Sequence, residues 1–439
     1  MRRCSERLAG DGRHRNAGDG PVQDAGADFG ALGNVLADGG PAVDRRRFIV
    51  GTAGVALAVF GTTAILSGCS NEAEEEEIVP TELEVAESDV LVTSDFTELD
   101  TWSCIAQTGY WELPIGCVGT MDSDELAVFL VPSERRNALM SIALFSISSG
   151  VLTTVLADAV SANEGYQIYD VRANDSVIVW VESNFHTDDW RLYLAKVMSS
   201  TEIGAPMLLD EGDYNFDPPM LCVSGAQAFW TFMPYEEGNA SDSDSYLKSA
   251  TLGSSAPEIV YTSHGRMITN PEASDGIVTI VPRAETKSAR YQMTALRASG
   301  GEVLSAQILP SSMKVNNAIY LNGHFVFGIE RSYNFGGGIA LFGTYTDMGN
   351  GKYLRFNRTP MDTPAACGNY LVIKSNKSVV GVDMATRSFF AIDTVGGSES
   401  YGDFLLSTGT SKQIVTYTSV PAGDGSGNGK VVVRAFGLI

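Results

Sequence analysis

The segment Asn174-Asp175-Ser176-Val177-Ile178-Val179-Trp180, answered ten residues later by Trp190-Arg191-Leu192-Tyr193, decides the fold. A polar turn opens an apolar, β-branched run, and a second aromatic-aliphatic run follows a short polar gap. That pattern is a hairpin signal. The unit recurs along the chain. Gly225-Ala226 precedes Ala228-Phe229-Trp230, Ser274-Asp275 precedes Ile277-Val278-Thr279-Ile280, and Asn322-Gly323 precedes Phe325-Val326-Phe327. Gly368-Asn369 precedes Tyr370-Leu371-Val372-Ile373, with weaker copies at Ser123-Asp124 and Ser411-Lys412. The turns begin near 123, 174, 225, 274, 322, 368 and 411, so the spacing drifts only from 51 down to 43 residues. An irregular β-sandwich has turns every 8–12 residues but no such longer period.

Most units hold four short strands in roughly 45–50 residues, which is the size of a propeller blade. The expectation is an all-β chain forming a seven-bladed β-propeller, with six or eight blades as the alternatives. The last unit offers one strand, Val431–Phe436, before the chain stops. A blade lacking its outer strand leaves an open sheet edge. An N-terminal strand is therefore expected to close the last blade, and Glu84–Thr93, with Val85, Val90, Leu91 and Val92, is the segment expected to do so. The repeat resembles the TolB-like and WD40-like propeller group, best over 174–193. That resemblance implies a fold and brings no active-site residues with it.

Ahead of the repeats lies a different kind of segment. Asp44-Arg45-Arg46-Arg47-Phe48-Ile49 opens an uncharged run from Phe48 to Leu66, diluted by glycine and threonine, that ends in Leu66-Ser67-Gly68-Cys69. Arginines, a weak apolar stretch and a small-residue exit make a signal peptide a better reading than a permanent membrane span. Arg45, Arg46, Phe48 and Ile49 resemble the twin-arginine export signal, and Leu66, Ser67, Gly68 and Cys69 resemble the bacterial lipobox. The resemblance implies cleavage before Cys69, lipidation of that cysteine, and an extracytoplasmic domain lipid-anchored to the cell membrane. Four segments follow: 1–44, an unstructured leader or the product of a start placed too early, Val43 being the alternative initiator; 45–69, the signal; 70–83, an acidic tether around Glu74-Glu75-Glu76-Glu77; and 84–439, the propeller.

The whole chain carries 30 basic and 53 acidic residues, a net charge of −23. Cleavage before Cys69 would leave 22 basic against 46 acidic residues, since eight arginines and seven acids precede it. Nucleic acid is thereby excluded as an electrostatic partner. No zinc-protease, nucleophile-elbow or phosphate-loop motif occurs, and no metal or cofactor site is expected. Cys104 and Cys117 are a candidate disulfide, whereas Cys222 and Cys367 read as small buried thiols.

In a propeller, the loops entering each blade and the loops joining its second and third strands share one face. The repeat puts Trp111, Phe185, His186, Asp213, Tyr214, Asp217, Tyr235, His264, Arg266, Arg331, Tyr333, Phe335 and Arg358 there. Aromatics beside polar groups on loops suit a protein, peptide or glycan ligand. The expected function is a monomeric, membrane-tethered, non-catalytic binding or scaffold module. The alternative is an extracytoplasmic hydrolase or lyase with its site in the funnel.

Overall fold

The computed structural model describes residues 78–134, 138–235, 243–254, 256–286, 290–311, 313–333, 337–356, 362–376, 378–398, 402–422 and 429–439. The export signal, the lipobox and Cys69 lie outside these residues, as do Phe335 and Arg358. No helix among the described residues is long and apolar enough to cross a membrane.

The described strands pair into seven separate sheets, each built on a meander of four antiparallel strands. In chain order their innermost strands begin at Val118, Gln167, Leu221, Glu272, Asn317, Ala365 and Phe404. Seven apolar clusters lie between consecutive sheets. Val128 and Leu144 of the first sheet meet Ile178 and Trp180 of the second, and so on around, until Val415 and Val433 of the last sheet meet Phe129 and Phe145 of the first. The sheets form a ring, and the fold is a β-propeller.

Why the apolar runs are continuous follows from this arrangement. Val177–Asn184 is a second strand with a neighbouring sheet on each face, and Val177 through Val181 are all fully buried. A strand covered on both sides needs no polar alternation. The inner turns match their residues too. Asp275-Gly276 and Asn322-Gly323 take positive φ at both positions (51° and 75°, 50° and 85°), the backbone of a tight two-residue hairpin that glycine, asparagine and aspartate tolerate.

The ring is closed by a different segment from the one expected. Ile105–Pro114 is the outermost strand of the last sheet and pairs antiparallel with Lys430–Leu438 over nine register positions. Glu84–Thr93 is used elsewhere: Val90–Val92 lies parallel to Tyr353–Phe356 on the rim of the fifth sheet. It belongs to a belt. Thr81–Glu82 adds to the outer strand of the fourth sheet, Val90–Val92 to the fifth, and Thr97–Glu98 to the sixth, all parallel. The chain then turns through Thr101–Cys104 into the closing strand. Among the described residues sheet pairing begins at Thr81, three residues before the expected domain boundary, and Leu83 is already buried.

The candidate disulfide is absent. Cys104 and Cys117 are free, buried thiols flanking the ten-residue strand Ile105–Pro114. At about 3.3 Å per residue an extended strand holds its ends roughly 30 Å apart, far beyond disulfide reach. Cys222 and Cys367 are buried on innermost strands, as expected.

Candidate functional site

Antiparallel meanders put the inter-sheet loops and the second-to-third-strand loops at the same end of every sheet. Three such segments, 213–220, 233–235 and 264–271, are stitched together. The Tyr235 amide donates to the Asn215 carbonyl at 2.6 Å, and the Asp217 amide donates to the Met233 carbonyl at 3.0 Å. The Arg266 guanidinium pairs with the Asp217 carboxylate and also donates to the Pro234 carbonyl. Asp213 accepts from the Asn215 amide at 3.0 Å and holds the turn beneath Tyr214. Phe216 packs on Phe232 with ring centroids 4.4 Å apart, which leaves Tyr214 (61% exposed) and Tyr235 (56% exposed) standing outward. His264 Nδ1 lies 2.8 Å from Asp244 and its Nε2 3.9 Å from Glu285; its hydrogen bond to Asp244 raises its pKa above the ordinary histidine value.

Phe185 and His186 follow the second strand of the second sheet. They border the 213–220 loop, because Trp190 pairs with Gly212 across the same sheet. Arg331 and Tyr333 sit on the fifth sheet's loop, beside Lys314. So Phe185, His186, Asp213, Tyr214, Asp217, Tyr235, His264 and Arg266 form one stretch of the loop face, and Arg331 with Tyr333 another. Trp111 does not join them. It lies within the closing strand at the outer edge, its ring 5.4 Å from Phe145 and edge-on to it. A Cβ at Gly109 or Gly150 would fall about 2 Å from its ring atoms, so two glycines make its slot.

The sequence reading missed the charged residues that cross the interior. Arg172 of the second sheet donates to Asp122 beside the first and, at 3.2 Å, to Glu272 of the fourth. Thr363, leading into the sixth sheet, donates to Glu272 at 3.1 Å, and Thr408 of the last sheet donates to Asp122. The three charged side chains are 4–7% exposed. Contacts among first, second, fourth, sixth and last sheets can meet only across the ring's middle, so this network occupies the axis. Burial raises the Glu272 carboxyl above its ordinary range, against the opposing pull of Arg172, and drives the Cys222 thiol upward. A signal existed: Asp122, Arg172 and Glu272 are charges placed within two residues before the repeating turn. A second buried cluster joins the sixth and last sheets, where Arg434 pairs with Asp403 and the Lys374 ammonium donates to the Asp403 carbonyl at 2.6 Å.

With fold and site in view, the chain belongs structurally with β-propellers. No protein-family model matches the sequence, and no curated protein matches it. Among solved structures it is similar to puromycin hydrolase in complex with PGG, at 11% identity over 70% of this chain with a TM-score of 0.46. The chain spans 50% of that enzyme's length. It is also similar to BamB from Moraxella catarrhalis (10% identity, 76% of this chain and 99% of that one, TM-score 0.37). TolB from Acinetobacter baumannii is a third (13%, 72% and 78%, TM-score 0.36). At these identities the likeness is one of fold.

Removing Arg172 leaves two buried carboxylates unpaired, so Arg172→Met should cost about 3–5 kcal/mol in chemical denaturation. Replacing Asp122 and Glu272 with apolar residues at the same time should recover much of that loss. The pH dependence has a definite sign. The native state holds the Glu272 proton more tightly than the unfolded chain, so this group's contribution is full below its ordinary value of 4.5 and falls as pH rises through its raised native value. Glu272→Gln should flatten the stability profile in that window, and an unchanged slope would assign it to other groups.

Proposed function

We propose that this chain is a lipid-anchored, extracytoplasmic propeller of seven blades whose loop face binds a partner and performs no chemistry of its own. Seven sheets joined by seven apolar interfaces favour seven blades over six or eight. The observation that carries the binding reading is the pair Tyr214 and Tyr235: two aromatic side chains, each more than half exposed, on backbone that hydrogen bonds at Asn215, Asp217, Met233 and Tyr235 tie together. Rigid exposed tyrosines are the residue type that anchors interfaces, because they bring large contact area at little entropic cost. A glycoside hydrolase in the funnel would need an available pair of carboxylates there. Asp122 and Glu272, the axial carboxylates, are engaged by Arg172 and by threonine hydroxyls. The anchor reading rests on Arg45-Arg46 with Phe48-Ile49 and on Leu66-Ser67-Gly68-Cys69, ordered around one apolar run.

An array of peptides and glycans probed with the full chain tests the binding claim. Tyr214→Ala with Tyr235→Ala should abolish the hits while leaving the melting temperature unchanged. Hits that survive in the double variant would place binding elsewhere, and turnover of an arrayed compound would replace the non-catalytic reading. The anchor has its own test in Cys69→Ala. The variant should be released from membranes or remain unprocessed, and a membrane-bound product of processed mass would contradict it.

A further inference from the structure

Most cations of this acidic protein are spoken for. Arg191, Lys248, Arg266, Arg290, Lys412 and Arg434 each sit against a carboxylate. Lys314 and Arg331 do not. Both are exposed on the loop face, and among the described residues neither makes an ion pair. The exposed Lys196 and Arg387 make none either, but Lys314 and Arg331 differ in lying on two loops that one tyrosine joins.

Their placement is fixed rather than casual. Lys314 stands between Met313 and Val315, which are 1% and 3% exposed, so the backbone is gripped on both sides while the ammonium points out. It lies 5.7 Å from the centre of the Tyr291 ring. The Arg331 guanidinium lies 5.5 Å from the centre of the Tyr333 ring. The Tyr333 hydroxyl accepts from the Lys314 amide at 3.2 Å and donates to the Lys314 carbonyl at 3.1 Å. Tyr333 is tied down in turn by its amide, which donates to the Ala340 carbonyl at 2.7 Å. Both tyrosines pack on the apolar cluster between the fourth and fifth sheets. One hydroxyl thus locks together two loops, each of which carries an exposed cation. A cation over a ring face within about 6 Å is held without being neutralised.

We propose that Lys314 and Arg331 form a carboxylate-receiving subsite for an acidic polypeptide segment on the loop face. The inference rests on the binding reading above and names the chemistry of part of that surface. Guanidinium and ammonium donors pair strongly with carboxylates. Cations already cover Tyr291 and Tyr333, so the subsite offers charge and donors rather than a bare platform for a sugar ring. Salt screens charges beyond about 8 Å at physiological ionic strength, so the two cations are opposed locally by Glu330, which Asn316 holds at 3.4 Å, more than by the remaining negative surface.

The test titrates the full chain with a hexaglutamate peptide, a hexaglutamine peptide and an oligogalacturonate. Hexaglutamate should bind, hexaglutamine should not, and added salt should weaken binding. Lys314→Met with Arg331→Met should reduce the affinity about tenfold. Lys314→Arg should retain it, and Lys412→Met, at the opposite end of the sheets, should leave it unchanged. Equal binding of hexaglutamine, no effect of the double variant at an unaltered melting temperature, or tighter binding of oligogalacturonate would each overturn the proposal. The Tyr214 and Tyr235 variants separate the two ideas. If they abolish the array hits while hexaglutamate fails to bind, the loop face stands as a binding surface and only this subsite falls.

Discussion

A ring of sheets has a seam, and here the antiparallel pairing of Ile105–Pro114 with Lys430–Leu438 holds it. Until that pairing forms, the last sheet lacks its outer strand and one apolar interface has a single wall. The interface concerned is large: Val431, Val433, Ala435 and Leu113 pack against Phe129 and Phe145 of the first sheet. Closing the seam also joins the axial network, because Thr408 and Asp122 come from sheets on its two sides. The belt depends on it as well. Thr81–Glu82, Val90–Val92 and Thr97–Glu98 are pairs and triplets of residues that could not hold strands alone, and they lie on sheet edges only because the chain is on its way to the seam. Several outer pairings, including Ala295/Leu296 with the fourth strand and Ala435/Phe436 with the closing strand, shift register at a bulge, which bends exposed edges away from other chains.

How much of this was legible in the sequence depends on how each signal is generated. The repeating turns were legible because Asn322-Gly323 and Asp275-Gly276 must take backbone conformations few residues accept, and the following runs must be apolar on both faces. The loop face was legible for a geometric reason, since strand alternation alone assigns loops to ends. The closing segment was misjudged because Val90-Leu91-Val92 reads as a strand equally well on a rim or in a seam. The true closing strand, with Gln107, Thr108, Gly109 and Glu112, lacks a continuous apolar run because most of its outer edge faces water. Trp111 followed the same error. Its place depends on Gly109 and on Gly150, 39 positions further along, a pairing no local pattern announces. The axial charges were passed over because their partners are 50 and 100 residues apart.

The division of labour across the molecule follows from where charge is satisfied. On the axis Asp122, Arg172 and Glu272 each have a partner from another sheet, so the middle ties the ring together. At the loop end, exposed tyrosines and unpaired cations sit on loops that hydrogen bonds hold in place. Polar groups buried in the axis stabilise only while complete. Polar and aromatic groups at the rim of the loop face remain available. Under the proposed function, the same scaffold separates cohesion from recognition.

Native-state hydrogen exchange measures the seam most directly. If closure is what makes the ring one cooperative unit, the amides of Val431–Phe436 and Trp111–Leu113 should exchange only through global unfolding, with the same free energy as the slowest amides of Val177–Val181. Faster exchange confined to Ile105–Pro114 and Lys430–Leu438, with Val177–Val181 still protected, would show that the seam opens alone and that the rest of the ring does not depend on it.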